Sequence, residues 1–253
     1  MKRAFAAIAA LIVLLGPEFA ANSPTKPVGV PYSWPTWALP FGTDHLGRDV
    51  LSRMLHGGRP LVLTSLAAAL AGVLFGAAVG LAVALTKRQA LMWPLDAIAA
   101  VPPILVLLLT LTAMPDRVGL VLAVAVVGAP LAARVTQAAA AQVVGRAHVE
   151  IAIARGENWA WLLGREILPL VGGTVLADAG MRFVTSVHLV AAAGFLGLSV
   201  SDSDWGLLIV EALPGAALQP WALLVPVLGV AVLAVSSNLF ADRVARRSRG
   251  MLG

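Results

Sequence analysis

The sequence predicts an all-α polytopic membrane protein with about six transmembrane helices. Hydrophobic residues make up 59% of the 253 positions, charged residues only 12%, and the mean hydropathy is +0.89. This composition is far from that of a soluble globular domain. Long apolar runs recur along the chain, and each helical crossing needs about 20 residues. The chain has no cysteine, which excludes a disulfide framework and a thiolate metal site or nucleophile.

The first apolar run covers residues 4–15 and follows Lys2 and Arg3. A basic start before a short apolar core fits a cleaved signal peptide, and the run is short for a membrane span. No convincing small-residue cleavage site follows it. We favour a retained first helix, because it makes the charge distribution described below consistent.

The second segment is a Pro-, Trp- and Ser-rich loop, residues 22–40, followed by a polar stretch, residues 41–59. Apolar residues recur there at helical spacing, with charged residues on the other side. These are Val50, Leu51, Met54 and Leu55 against Arg48, Asp49, Ser52 and Arg53. The pattern predicts an amphipathic helix at the membrane surface that starts at Thr43 or Asp44, with an ion pair between Asp49 and Arg53.

Two apolar spans follow. Residues 61–85 carry no charge, and Gly72, Gly76 and Gly80 repeat every four residues, which lets another helix approach closely. Residues 91–114 hold Asp96 near their start and the pair Pro102-Pro103 inside. Proline frees a backbone carbonyl and kinks a helix. The kink either lines a pathway or serves packing only.

Three further spans are predicted at residues 118–135, 170–198 and 221–241, with a more polar helix at residues 137–155 after the first of them. The span at 170–198 contains Asp178 and Arg182, four residues apart, and His188. A charge at mid-bilayer costs roughly 3 kcal/mol or more unless it is paired or hydrated. These three residues are candidates for the translocation path. For Asp178 and Arg182 we favour an internal ion pair.

A polar, basic stretch, residues 150–169, lies between the spans that end near Arg134 and start near residue 170. Gly156 is placed to break a helix and Asn158 to cap the next one. The following turn, residues 159–163, has an apolar, aromatic outer surface, and Pro169 closes the segment. Exposed aromatic residues outside the lipid need a partner, which indicates a docking element. The alternative is an ordinary loop between two membrane helices.

Three motifs resemble bacterial ABC-importer permeases of the dipeptide, oligopeptide and nickel branch. The spacing of Glu150, Ala152, Gly156 and Leu168-Pro169 resembles their EAA loop, with departures at Ile151 and Glu166. The string G-T-D-x-x-G-R-D-x-x-S-R at residues 42–53 resembles the segment before their second membrane helix. Residues 195–206, FLGLSVSDSDWG, resemble their outer loop after the fifth helix, with Ser199 in place of glycine. Asp202, Asp204 and Glu211 give this loop an acidic face, which we interpret as solvated. The alternative is contact with a basic patch on a partner or with a cationic substrate.

The resemblance implies a MetI-like permease fold with a cytoplasmic coupling helix. It divides the chain into residues 1–60, with the first helix, external loop and amphipathic helix, and residues 61–253, the permease core. The residues implied in ATPase coupling are Glu150, Ala152, Arg155, Gly156, Trp159, Trp161, Leu168 and Pro169. The external motif comprises Gly42, Thr43, Asp44, Gly47, Arg48, Asp49 and Arg53. For single charges such as Asp44 and Arg48, a purely anchoring role is an equal alternative.

The implied partners are a second homologous permease, two ATP-binding subunits, an extracytoplasmic substrate-binding protein and membrane lipid, but no nucleic acid. The implied location is the bacterial inner membrane. ATP and Mg are expected on the partner ATPases, and no catalytic residue or metal site is expected here. None of the three lysines lies in a G-x-x-x-x-G-K-[ST] loop, so this chain has no ATP site of its own. The substrate stays open among dipeptides, longer peptides, nickel and metal chelates.

The basic residues predict the orientation. With six spans and a cytoplasmic N-terminus, twelve basic residues lie inside and five outside, as the positive-inside tendency requires. The outer five are Lys26, Arg48, Arg53, Arg59 and Arg117. Both termini and the coupling stretch are then cytoplasmic. Two rival functions are an ion-gradient-driven secondary transporter, for which we find no internal repeat, and a membrane enzyme, for which the four histidines are too scattered.

Overall fold

The computed structural model describes Val13 and residues 15–250, with side chains as far as residue 239. The predicted first span, residues 4–15, therefore lies almost wholly outside the described residues. The described part is helical apart from its loops and one isolated β-bridge between Thr43 and Asp49.

From Val50 to the end of the described residues, nine α-helices follow one another. They are α1 Val50–Thr86, α2 Trp93–Ala99, α3 Pro103–Ala113, α4 Arg117–Val144, α5 Ala147–Ala154, α6 Trp159–Trp161, α7 Leu168–Phe195, α8 Trp205–Ala212 and α9 Pro220–Gly250. Two 3₁₀ turns, Gln89–Met92 and Leu213–Gly215, precede α2 and follow α8, and a π-helix, Leu162–Ile167, joins α6 to α7.

Four helical stretches in the described residues are long and apolar enough to cross a membrane: Val50–Thr86, Arg117–Val144, Trp159–Phe195 and Pro220–Leu239. They correspond to four of the predicted spans, those at residues 61–85, 118–135, 170–198 and 221–241. The fifth, residues 91–114, is a pair of short helices bent by 86° at the break between Ala99 and Pro103. Pro102 and Pro103 lack the N–H groups that would continue α2, so the predicted kink is confirmed as a complete break.

Helix α1 makes its most extensive contacts with α4. A Cβ atom at Gly72 would lie 2.8 Å from the carbonyl oxygen of Ala125, and one at Gly76 would lie 2.5 Å from that of Ala129. Gly80 faces the carbonyl of Ala133 in the same way. The predicted glycine row therefore brings the two backbones into direct contact along three turns.

Replacing Gly76 with valine is expected to destabilise the protein by about 1–3 kcal/mol, because the added atoms overlap backbone atoms of α4 that cannot move aside. Gly128→Ala is the control, since its new Cβ would have Arg182 as its nearest neighbour at 4.0 Å. Thermal unfolding of the purified protein measures both. Equal midpoints for the two variants would contradict the close packing.

The main hydrophobic core lies between α1, α3, α4, α7, α8 and α9. Its fully buried members include Leu61, Leu107, Ala123, Val187 and Ala193. A second core lies at the other end of α1 and α4, under residues 147–167. Each core supports one of the two candidate sites described next.

Candidate functional site

The first site, residues 147–169, contains the stretch predicted to couple to the ATPases and is called the coupling loop here for that prediction. Its helix α5 ends at a Schellman motif, in which Glu157 N–H donates to the carbonyl of Ala152 and Gly156 N–H donates to that of Ile153. Gly156 has φ +80°, and the side chain of Asn158 accepts a hydrogen bond from Trp161 N–H at 2.8 Å. The predicted break and cap are therefore confirmed.

One side of the coupling loop is anchored in the protein. Four of its apolar side chains are at most 2% exposed: Val149, Ala152, Leu162 and Ile167. They pack in the second core with Ala84 at the end of α1 and with Ala140 and Val143 at the end of α4. The prediction that Leu162 lies on the outer surface was wrong, because this helix turns its Leu162 side inward. The loop cannot shift without moving the ends of two spans.

The other side of the coupling loop is apolar and exposed. Ile151, Ile153 and Trp159 are 57%, 47% and 54% exposed. Trp161 is less exposed, because one side of it packs against the second core. The guanidinium group of Arg155 lies 5.8 Å from the centre of the Trp161 ring. Glu150 is exposed as well. The loop thus presents apolar residues and a carboxylate on a rigid support.

The helix that begins inside the coupling loop, at Trp159, does not end at Pro169. This corrects the prediction that the proline closes the segment. Pro169 is the second residue of α7, and the helix runs from Trp159 to Phe195. Proline has no N–H and its ring displaces the carbonyl four residues earlier, here that of Arg165. A π-helical stretch, Leu162–Ile167, accommodates this change just before it. The coupling loop is therefore continuous with a membrane span.

The second site lies at the opposite end of α1 and is called the external cluster here, after the predicted location of its motif. The predicted amphipathic helix from Thr43 or Asp44 is wrong, because residues 41–49 form a loop and α1 begins at Val50. Gly42 and Gly47 adopt φ +69° and +74°. The carboxylate of Asp44 accepts hydrogen bonds from the N–H groups of Leu46 and Arg48, at 2.9 Å each, in place of a helical turn.

Asp49 caps α1 and does not pair with Arg53, contrary to prediction. Its carboxylate accepts hydrogen bonds from Leu51 N–H at 3.1 Å, from the hydroxyl of Ser52 at 2.6 Å and from the amide of Asn22 at 3.1 Å. These bonds fix both the start of α1 and the loop that precedes it.

Arg53 is the centre of the external cluster. Its Nη1 lies 2.7 Å from Asp44 Oδ2 and 2.7 Å from Glu211 Oε2 on α8. Arg48 contacts the same two carboxylates at 2.7 and 3.1 Å. The Arg53 side chain is only 1% exposed and also donates to the carbonyl of Asp202. Two arginines and two carboxylates thus join α1, the external loop and α8.

Two opposing effects act on Asp44 within the cluster. Burial alone would raise the pKa of this carboxyl. The hydrogen bonds from Arg48 and Leu46 N–H and the charges of Arg53 and Arg48 outweigh burial, so the pKa of Asp44 lies below its ordinary value of 3.8. Asp44 therefore stays ionised and paired over the physiological range.

A small cavity of about 10 Å³ lies beside this cluster, large enough for one water molecule. The ligand atoms of Asp44, His45 and Glu211 lie within 4.8 Å of one another, a spacing that a metal ion could bridge. Both carboxylates already bind the two guanidinium groups, which balance their charge. The donor set therefore fits an ion-pair network and not a divalent cation.

The acidic face predicted for the outer loop is not solvated. Asp204 is 7% exposed and caps α8 through Gly206 N–H at 2.8 Å, and Glu211 belongs to the external cluster. Asp202 alone is exposed. Sequence analysis missed the pairing of Glu211 with Arg48 and Arg53, and the one available signal was a single carboxylate in the apolar helix WGLLIVEA.

The buried carboxyl of Asp204 is expected to make the stability of the folded protein depend on pH. Burial raises its pKa to about 6, and hydrogen bonds from Gly206 and Leu207 N–H offset this only in part. Because the pKa is higher in the folded state, the ionised carboxyl opposes folding at pH 7, and stability increases as pH falls through 6 towards 4. The gain is on the order of 2–3 kcal/mol.

The variant Asp204→Asn isolates this effect, because asparagine also caps helices but does not ionise. It is expected to be more stable than the native chain at pH 7, and to gain less on acidification. Thermal unfolding at pH 7 and pH 5 provides the comparison. An equal gain for both chains between these pH values would contradict a buried ionised Asp204.

The third set of predicted site residues lies on α7. Arg182 and Asp178 form the expected ion pair at 3.1 Å, with side chains 16% and 9% exposed. His188 lies further along the helix, is exposed, and its Nδ1 lies 2.9 Å from the carbonyl of Val184. The pair and the histidine are therefore not joined in one hydrogen-bonded site.

Comparison with known proteins supplies the family. Residues 72–250 match the model described as "Binding-protein-dependent transport system inner membrane component". The chain belongs to this family. It is a permease subunit of an ATP-driven importer of the inner membrane, not an enzyme, so the predicted fold class and transport class are confirmed.

Curated relatives are similar over most of the chain. The di/tripeptide transport system permease protein DppC of Pseudomonas aeruginosa (strain UCBPP-PA14) is 28% identical over 208 residues, 80% of this chain and 69% of its own. The oligopeptide transport system permease protein OppC of Bacillus subtilis (strain 168) is 27% identical, covering 80% and 68%. The glutathione transport system permease protein GsiD of Pectobacterium atrosepticum is 28% identical, covering 82% and 71%.

Among solved structures, an inward-facing conformation of the MetNI methionine ABC transporter has a chain with the same fold. The TM-score is 0.65 at 15% identity, covering 78% of this chain and 96% of that one. The MetI-like architecture is therefore confirmed. At this identity the likeness concerns the fold alone.

Proposed function

We propose that this chain pairs with a second, homologous permease to enclose a translocation path for peptides. The relatives named above carry di- and tripeptides, oligopeptides or glutathione in their names, and this supports peptides over nickel or metal chelates. Two ATPase subunits bind ATP and Mg, and an extracytoplasmic protein delivers the substrate.

The observation that carries the proposal is the construction of the coupling loop. Its outer side exposes Ile151, Ile153 and Trp159, which suit a partner's apolar groove. Its inner side is locked into the ends of α1 and α4, and it continues into α7. Closure of the ATPases moves the loop as a lever, and three spans move with it.

At the opposite end of α1, the external cluster transmits the docking of the binding protein to the membrane helices. Docking of the binding protein on the external loop shifts Asp44 and Arg48, and their contacts with Glu211 transmit the shift to α8. Helix α8 packs against α7 and α9. Docking of the binding protein on the outside and the nucleotide state of the ATPases on the inside thereby act on the same helix, α7.

The path itself uses the exposed face of α7. A histidine exposed within a membrane span is unfavourable in lipid, so His188 faces water or a partner subunit. Asp178 and Arg182 form an internal pair that fixes this helix against α4, where Arg182 lies beside Gly128. With both termini and the coupling loop cytoplasmic, α7 runs outward from the coupling loop.

The experiment that tests this function is reconstitution of the full transporter with its binding protein. We expect ATP-dependent uptake of a dipeptide or oligopeptide and ATPase activity stimulated by the peptide-loaded binding protein. Uptake that needs an ion gradient and not ATP would contradict the proposal. Stimulation by nickel alone would contradict the substrate class and leave the transport class intact.

A further inference from the structure

A cavity of about 300 Å³ lies at the outer-loop end of α1, away from the coupling loop. It is bounded by α1, by the first turns of α4 and by Pro17. This volume is in the range of small-molecule sites. The lining residues are Pro17, His56, Arg59, Pro60, Leu63, Thr64, Ala67, Arg117 and Val121.

The cavity has a basic end and an apolar end. Arg117 begins α4, while His56 and Arg59 lie in the second and third turns of α1, closer to the loops than the apolar lining residues. Leu63, Ala67 and Val121 lie one to two turns further along α1 and α4, about 12 Å deeper from Arg59 to Ala67 at 1.5 Å per residue. Arg59 is the last charge before the uncharged run of α1, and Arg117 is the first residue of α4. The cavity therefore spans the level of the lipid headgroups and the start of the acyl chains.

The basic end of the cavity has hydrogen-bond donors that are free to bind a ligand. Arg59 has one long ion pair, with Glu18 at 3.9 Å, and its side chain is 51% exposed. Among the described residues no carboxylate lies within ion-pair distance of Arg117, and the carboxylate of Asp116 accepts instead from Gly119 N–H at 2.7 Å. His56 Nδ1 donates to the carbonyl of Ser52 at 2.8 Å, so Nε2 of the neutral ring is an acceptor and the two arginines supply the free donors.

We propose that this cavity binds an anionic phospholipid, with the phosphate between Arg59 and Arg117 and the first part of an acyl chain along Leu63, Ala67 and Val121. Guanidinium groups form strong charge-assisted hydrogen bonds with phosphate. Basic pockets between membrane helices suit lipid headgroups. A zwitterionic lipid would bring an ammonium group against two arginines, so an anionic headgroup is preferred. The proposal rests on the membrane spans and on this cavity, and is independent of the substrate.

The test is native mass spectrometry of the intact transporter after a delipidating wash, with phosphatidylglycerol or phosphatidylcholine added back. We expect the native transporter to retain phosphatidylglycerol in preference to phosphatidylcholine. The double variant Arg59→Gln/Arg117→Gln is expected to lose one phosphatidylglycerol per copy of this chain and to bind it about tenfold more weakly or worse, because both guanidinium groups that would bind the phosphate are removed.

Two further variants keep the test decisive. Arg88→Gln removes an exposed arginine from the opposite end of α1 and should leave retention unchanged. Ala67→Phe fills the apolar end through an exposed position and should lower lipid retention even if the double variant does not fold. Unchanged retention in the double variant, or equal loss in Arg88→Gln, would overturn the proposal. Full displacement of the lipid by inorganic phosphate would assign the site to a free anion instead.

Discussion

Replacing Arg53 with methionine is expected to destabilise the protein by about 3–5 kcal/mol, the usual cost of removing one partner from a buried ion pair. The Arg53 side chain is 1% exposed and binds Asp44, Glu211 and the carbonyl of Asp202. Methionine fills similar space but leaves two carboxylates with Arg48 alone. Thermal unfolding of the purified protein measures the loss.

Arg134→Met is the matched control for Arg53→Met. Arg134 forms an ion pair of the same length, 2.7 Å to Asp96, but its side chain is 59% exposed. An exposed pair contributes at most about 1 kcal/mol, so this variant should unfold close to the native temperature. If the two variants unfolded alike, burial of the external cluster would not determine its contribution. A second check is Glu211→Gln combined with Arg53→Met, which should cost less than the sum of the single changes.

Replacing Gly156 with valine is expected to impair coupling more than any other single change in the loop. The residue has φ +80° and no atom lies within 4 Å of an added Cβ, so the whole effect comes from the backbone. A β-branched residue there costs on the order of 1–3 kcal/mol and forces the Schellman turn to reorganise. Ile151, Ile153 and Trp159 would then no longer share one surface. We expect ATPase subunits to co-purify about tenfold less, with a similar loss of uptake.

Gly164→Val is the control for Gly156→Val. Gly164 also lies in the coupling loop, is exposed and has open space around it, but its φ is not positive. This variant should retain the ATPase subunits. Gly156→Asn should recover part of the loss, because asparagine tolerates the left-handed conformation. Normal assembly of the valine variant at position 156 would count against the docking role.

Local signals explain what the sequence predicted correctly. Gly72, Gly76 and Gly80 are visible because their period matches the helix, and the contact with α4 needs nothing else. Gly156 and Asn158 act within a few residues of themselves, so their turn and cap could be read directly. Asp178 and Arg182 lie one turn apart on the same helix, which fixes their pairing.

The wrong predictions have several causes. One of the two carboxylate partners of Arg53 is Glu211, 158 residues away, and no local pattern connects them. Residues 48–53 were predicted to form part of an amphipathic helix at the membrane surface, but Arg48 and Arg53 are buried against Asp44 and the distant Glu211. Helix formation from Thr43 failed because Asp44 binds nearby N–H groups in a turn. Pro169 did not end the helix that begins at Trp159, because a π-helical stretch just before it accommodates the proline. The lipid cavity is formed by two helices and Pro17, so only the folded chain shows it.

The central claim is that the coupling loop contacts the ATPase on the cytoplasmic side, and a single cysteine at Trp159 tests it most directly. The chain has no other cysteine, and Trp159 is 54% exposed. In cells, Trp159→Cys should resist a membrane-impermeant thiol reagent added from outside. In the assembled transporter it should cross-link to the ATPase subunit, with the yield changing on ATP binding. Labelling from outside, or no cross-link in an active transporter, would contradict the account.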